Sequence, residues 1–144
     1  MTHVLLVSHG KLAEGLLDTL SLFAKDSVSD VLAIGLRDGE DVSSFSQRAE
    51  KELIPSIRED ERLIVLADIV GGSPLTTVSD LLNREGLLDR TIVIGGMNLS
   101  TALTVLLQKD GLDHQSLVST ALTEGKAALQ ELKLLESDED EEDL

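Results

Sequence analysis

A chain of 144 residues, 42% of them hydrophobic and with a net charge of −15, is long enough to bury one core and too short for two. It contains no cysteine, which excludes disulfides, thiolate catalysis and cysteine-ligated metal centres. Its acidity, without a clustered Lys/Arg surface, argues against nucleic acid as a partner.

The chain opens on a short apolar run, His3–Val7 (HVLLV). This run falls far below the ~20 residues that cross a bilayer and is too short for an export signal, so a cytoplasmic protein is expected. Three more such runs follow: Val31–Gly35, Arg62–Ala67 and Thr91–Gly95. All four are β-branched and apolar without alternation, the pattern of parallel strands covered on both faces.

Between the runs the apolar period changes to that of a helix. Leu12, Leu16, Leu20 and Phe23 form the first stripe; Val42, Phe45, Ala49 and Leu53 form the second, which Pro55 is expected to interrupt. A third carries Leu75, Val78 and Leu82, and a fourth Leu99, Leu103 and Leu106. From Ser116 a fifth helical stretch holds Leu117, Ala121 and Leu122, and the ELKLL run, Glu131–Leu135, reads either as its last turns or as a short closing strand.

Regular strand–helix alternation points to an α/β fold: an open, mainly parallel four-stranded sheet with helices on both faces and right-handed crossovers. Residues 1–135 are expected to form this domain. Residues 136–144 hold seven acids and no base, and removing those seven leaves the rest at −8; they read as a disordered, solubilising tail.

Open sheets of this kind bind ligands beyond the carboxyl ends of their strands, where strand order reverses. With strand order 2-1-3-4, that point lies between the first and third strands. The loops that meet there begin SHGK and ADIVGGSP, so His9 and Asp68 become the polar pair at the crevice. A carboxylate bonded to one imidazole nitrogen sets tautomer and orientation, leaving the other nitrogen as a positioned nucleophile. In GGSP, Gly71 and Gly72 permit positive φ and close approach, Ser73 suits an N-cap, and Pro74 suits a first helical turn. The helix so begun would offer free amides and a positive dipole end to a phosphoryl group beside His9.

Other chemistry fits less well. Neither a Walker A pattern nor a G-x-G-x-x-G after the first strand is present. Asp68 would suit a receiver domain, but the first strand then lacks its acidic metal ligands. A histidine phosphatase would need an arginine where Ser8 stands, and the further ligands of a class II chelatase cannot be placed. His3, opening its strand, and His114, in the polar run GLDHQS, read as solvated or structural. Lys11 reads most plainly as an exposed lysine of a first helical turn, with a place near a bound phosphate as the alternative, and GGMNLS (Gly95–Ser100) as the rim of the crevice.

The segments LLVSHGKLAEGLL, VLADIVGGSPLTTVSDLL and IVIGGMNLSTALTVLL resemble, in order and spacing, the enzyme IIA component of the mannose family of the bacterial phosphoenolpyruvate-dependent sugar phosphotransferase system. The likeness covers about residues 1–130. It implies that His9 accepts a phosphoryl group from phospho-HPr and passes it to a histidine of a separate IIB component, which serves membrane IIC and IID components. Asp68 would orient His9, while Ser73 and the amides about Gly10, Gly71 and Gly72 would hold the phosphoryl oxygens. Transfer between two phosphohistidines is close to balanced, so neither metal nor cofactor is implied. The resemblance further implies a homodimer in which a C-terminal antiparallel strand crosses to the partner's sheet, a role that suits ELKLL. Relatives commonly carry an aromatic residue near the glycine pair and Phe-Asn after GGSP, where this chain has Ile69, Val70, Leu75 and Thr76. The alternative of a different class is a regulatory module that keeps the fold and controls a partner through its phosphorylated state.

Overall fold

The computed structural model describes residues 2–135; the acidic segment 136–144 lies outside them. Four strands, β1 (Thr2–His9), β2 (Val31–Leu36), β3 (Arg62–Ala67) and β4 (Thr91–Ile94), form one parallel sheet in the order β2-β1-β3-β4. The expected order and the expected strands are therefore observed. Five α-helices connect and cover them: α1 (Leu12–Phe23), α2 (Val42–Ile57), α3 (Ser73–Arg84), α4 (Leu99–Gln108) and α5 (His114–Ala127). Short 3-10 turns at Lys25–Asp30 and Leu88–Arg90 lead into β2 and β4.

Because successive strand side chains alternate between faces, the sheet splits its apolar residues into two cores. Val4, Leu6, Ile64, Leu66, Ile92 and Ile94 face α1, α4 and α5. On the other face, Leu5, Val7, Ile34, Leu63, Val65 and Ala67 meet α2 and α3, with Phe45 the largest buried side chain there. Each such Leu or Ile contributes roughly 1.5–3 kcal/mol by leaving water. This explains why the strands read as continuous apolar runs.

Several local expectations need correction. Pro55 does not interrupt α2, which continues to Ile57. Pro55 forfeits one backbone hydrogen bond on the exposed side, while Ile54 and Ile57 beside it are fully buried in the core. The inward face of α1 is Ala13, Leu16, Leu17 and Leu20, whereas Leu12 and Phe23 are exposed. Helix α5 starts at His114 rather than Ser116, because the Asp113 carboxylate accepts from the Ser116 amide at 2.8 Å and caps the earlier turn. Within the single chain, Glu131–Leu135 is neither helix nor strand, and Leu132, Leu134 and Leu135 are exposed. Among the described residues no helix is long and apolar enough to cross a membrane.

Candidate functional site

Strands β1 and β3 are adjacent, with Val7 opposite Ala67, so the residues that follow them emerge side by side. His9 and Asp68 meet there. The His9 Nδ1 lies 2.8 Å from Asp68 Oδ2, and the His9 backbone amide donates to the same oxygen at 2.9 Å. Asp68 Oδ1 accepts from the Ile69 amide at 2.8 Å, while the Asp68 amide donates to the Val7 carbonyl at 3.1 Å. Both the ring and the carboxylate are thus tied to the backbone that carries them.

The electrostatics follow from these contacts. Burial pushes the Asp68 carboxyl up, but the His9 and Ile69 amides and the His9 ring outweigh it and hold the group below the usual aspartate range. An ionised carboxylate only accepts, so the Nδ1 that meets it carries a proton, and Nε2 is the ring nitrogen turned away from Asp68. The His9 side chain is 47% exposed and that of Asp68 14% exposed; the imidazole faces solvent while the carboxylate that holds it stays covered.

Helix α3 starts beside the ring. A methyl built on Gly72 would come 2.5 Å from His9 Cε1 and 3.2 Å from Nε2, so glycine is what lets the loop lie against the imidazole. Two expectations shift here. Gly72, with extended backbone, is the N-cap, and Ser73 is the first helical residue. Neither Gly71 nor Gly72 has positive φ; Gly72 serves close approach, and a side chain on Gly71 would point into open space. No side chain caps α3, Pro74 stands in its first turn and Ser73 is exposed, so the first amides of α3 keep the unsatisfied character of any helix start.

Gly10 is different. Its φ of +58° makes the turn out of β1, but its amide donates to the Leu36 carbonyl at 2.8 Å. That donor is committed to the scaffold. Lys11 is exposed at the start of α1, where Ser8 Oγ, buried beneath it, accepts from the Ala13 amide at 2.8 Å.

The rim is apolar. Ile69 and Val70 are exposed, Leu75 is buried in the core and Thr76 is exposed. Gly95 leaves the space that Val70 fills, Gly96 turns with φ +72°, and the Met97 amide donates to the Ala67 carbonyl at 2.9 Å. The GGMNLS segment therefore borders the β3–α3 loop, as expected of a rim.

His3 was expected to be solvated or structural. It is buried, with Nδ1 2.7 Å from Asp60 Oδ2, at the opposite end of β1 from His9. His114 is exposed on the first turn of α5. Neither approaches the crevice.

A family model described as EIIA-man, PTS system fructose IIA component, matches residues 3–132. The chain belongs to this family. Among curated relatives, the sorbose-specific EIIA component of Klebsiella pneumoniae is 27% identical over 106 residues, spanning 74% of this chain and 73% of that protein. Among solved structures, the EIIA component from Streptococcus agalactiae superposes with a TM-score of 0.75 at 25% identity, covering 91% of this chain and 97% of the other. The mannose/sorbose-specific IIA subunit from Enterococcus faecalis gives a TM-score of 0.77 at 20% identity, with 94% and 98% covered, and shares the fold. This EIIA-man chain is accordingly a component of the sugar phosphotransferase system, and its sheet order is that of an open α/β domain.

Proposed function

We propose that the protein is a cytoplasmic phosphocarrier that takes a phosphoryl group from phospho-HPr onto His9 Nε2 and hands it to a histidine of a IIB component. The single observation that carries this reading is the His9–Asp68 contact of 2.8 Å beside the start of α3. Asp68 keeps the Nδ1 proton in place, so Nε2 attacks phosphorus with its lone pair as the nitrogen–phosphorus bond of the donor breaks. The donor ring, protonated on its other nitrogen, departs as a neutral imidazole, while the positive charge that passes to the phosphorylated His9 ring, still protonated at Nδ1, is balanced by the Asp68 carboxylate. On this reading the amides of Gly72 and Ser73 and the Ser73 hydroxyl, at the start of α3, complement the charge on the phosphoryl oxygens. Gly71 supplies an unobstructed approach. Because donor and acceptor are chemically alike, positioning and charge stabilisation carry the acceleration.

The test is incubation with phosphoenolpyruvate, enzyme I and HPr. Wild-type protein is expected to gain one acid-labile phosphate and His9→Ala none. Adding a IIB protein should then discharge it. Phosphate that forms and is passed to no IIB partner would instead favour a regulatory module.

The same reading includes a homodimer and, through IIB, indirect association with the membrane components IIC and IID. Support comes from the edge position of β4, the exposure of Val93 on it, and an adjoining groove of about 490 Å³ lined by Leu99, Leu122 and Leu129. The exposed leucines of 129–135 are of the right character to cover a second copy's edge. Sedimentation should give twice the chain mass, and truncation after Ala128 should give monomer.

A further inference from the structure

We propose that Arg48 and Glu40 are positioning residues for His9, acting through the end of β2; this rests on the phosphocarrier reading. His9 has two anchors. Asp68 holds it from the β3 side, and the end of β2 holds it from the other, since His9 lies opposite Leu36 and the Gly10 amide donates to the Leu36 carbonyl at 2.8 Å. The two backbones touch there: any side chain on Gly35 would overlap the Gly10 carbonyl oxygen.

That second anchor sits at a weak place. β2 is an edge strand, and strand carbonyls point alternately to either side. Leu36 offers its carbonyl to the His9–Gly10 turn, so Gly35 turns its own outward, where no strand lies. Arg48 fills the gap. Its Nη2 donates to the Gly35 carbonyl at 2.6 Å and to Glu40 Oε1 at 2.8 Å, while Nε donates to Glu40 Oε2 at 3.0 Å.

Glu40 closes the ring by accepting from the Arg37 amide at 3.0 Å, with the Glu40 amide returning a bond to the Arg37 carbonyl at 3.0 Å. The guanidinium also lies 5.4 Å from the centre of the buried Phe45 ring. A planar fork bound to both carboxylate oxygens and to a carbonyl has one geometry, so it fixes where β2 ends. This arrangement differs from a surface ion pair because its product is the position of a backbone carbonyl. Glu52, 3.5 Å from Nη1 and far more exposed, is the peripheral member.

The chain of dependence therefore runs from Arg48 and Glu40 to Gly35 and Leu36, then to Gly10 and His9. Loosening it leaves Asp68 as the remaining hydrogen-bonded anchor of His9. A displacement of about 1 Å at reacting atoms can cost ~10²-fold in rate, and a partial loss of one of two anchors should cost about tenfold.

Single-turnover phosphoryl uptake from phospho-HPr separates this role from general stability. Arg48→Lys keeps the charge and loses the fork, and Glu40→Gln keeps the shape and loses the charge. Both are expected to lower the maximal rate per folded molecule about tenfold, leave the half-saturating HPr concentration unchanged, and speed hydrogen exchange at the Gly10 amide. His3→Asn, which loosens the far end of β1, serves as a destabilised control whose maximal rate stays at the wild-type value. Unchanged maximal rates in both variants, or a loss matched by the control at equal melting temperature, would overturn the proposal. If wild-type protein takes up no phosphate, the phosphocarrier reading fails instead. Gly10 exchange and the nitrogen shifts of the His9 ring then decide whether Arg48 positions that residue.

Discussion

Gly72 and His9 are packed so closely that one added carbon would meet the imidazole at 2.5 Å. The atom it would strike is the outer edge of a side chain able to rotate, so Gly72→Ala is expected to fold with little loss of stability. Relief comes only if the ring swings away from Asp68, which breaks the 2.8 Å contact. Phosphoryl uptake should drop by about 10²-fold, in line with the penalty for misplacing a reacting atom by roughly 1 Å. Stopped-flow or quench-flow uptake alongside thermal melting checks this; retained uptake would mean that the ring has room the geometry denies it.

Asp68→Asn probes the other side of the same ring. Asparagine can present its amide nitrogen to Nδ1, so the tautomer that keeps a lone pair on Nε2 is no longer enforced. Losing the carboxylate that orients a working histidine costs ~10–100-fold at metal sites and ~10⁴-fold where the ring is a general base, so a loss of at least about tenfold is expected with the fold intact. The wild-type rate should fall on acidification, because a ring protonated at Nε2 cannot attack. A rate indifferent to pH over the whole range in which the fold persists would exclude nucleophilic attack by a neutral ring.

Stability should also have an acid limb with a known origin. The Arg48 fork, then the Arg37 amide, hold the Glu40 carboxyl down from its ordinary value of 4.5 to about 2. The helix-capping bonds from the Ser44 and Ser116 amides lower Asp41 and Asp113 as well, and Asp68 is lowered despite its burial. In each case the unfolded chain binds the proton more readily than the folded one. The contribution is complete above the ordinary carboxyl range and is lost as pH falls through the depressed values. For Glu40 this window runs from 4.5 down to about 2. Melting temperatures across that window should fall less steeply for Glu40→Gln than for wild type; parallel slopes would show that Glu40 is not responsible.

These features differ in how visible they are along the chain. The four strands announce themselves because parallel strands buried on both faces must be continuously apolar, and His9 and Asp68 stand out as the polar residues where two such runs stop. Gly72 was legible as a glycine of a tight loop, though whether its use was positive φ or contact depends on the neighbour it meets across 63 positions. Arg48 and Glu40 leave no signal, since a charged residue on α2 that grips a strand end looks like one that faces water. Pro55 misleads in the opposite direction: its local cost is written in the residue itself, while the compensating burial of Ile54 and Ile57 depends on where α2 lies in the fold.

The pairing of His3 with Asp60, across 57 positions, is another relation of this kind, and it carries the last prediction. Their side chains are only 9% and 4% exposed, and the Asp60 backbone carbonyl is itself held by Arg90 Nη1 at 2.9 Å. His3→Leu removes the one side chain bonded to this carboxylate, and breaking a buried pair from one side costs about 3–5 kcal/mol. Replacing both members by apolar residues removes the unpartnered buried carboxyl as well, so His3→Leu with Asp60→Leu should be more stable than His3→Leu alone. Six residues of strand at ~3.3 Å each separate His3 from His9 by roughly 20 Å, so phosphoryl uptake per folded molecule should be unaffected in both. Urea denaturation read beside single-turnover uptake tests the two halves together. A single variant as stable as wild type would show that the contact contributes nothing, and a slowed maximal rate would show that the base of β1 is coupled to the site at its other end.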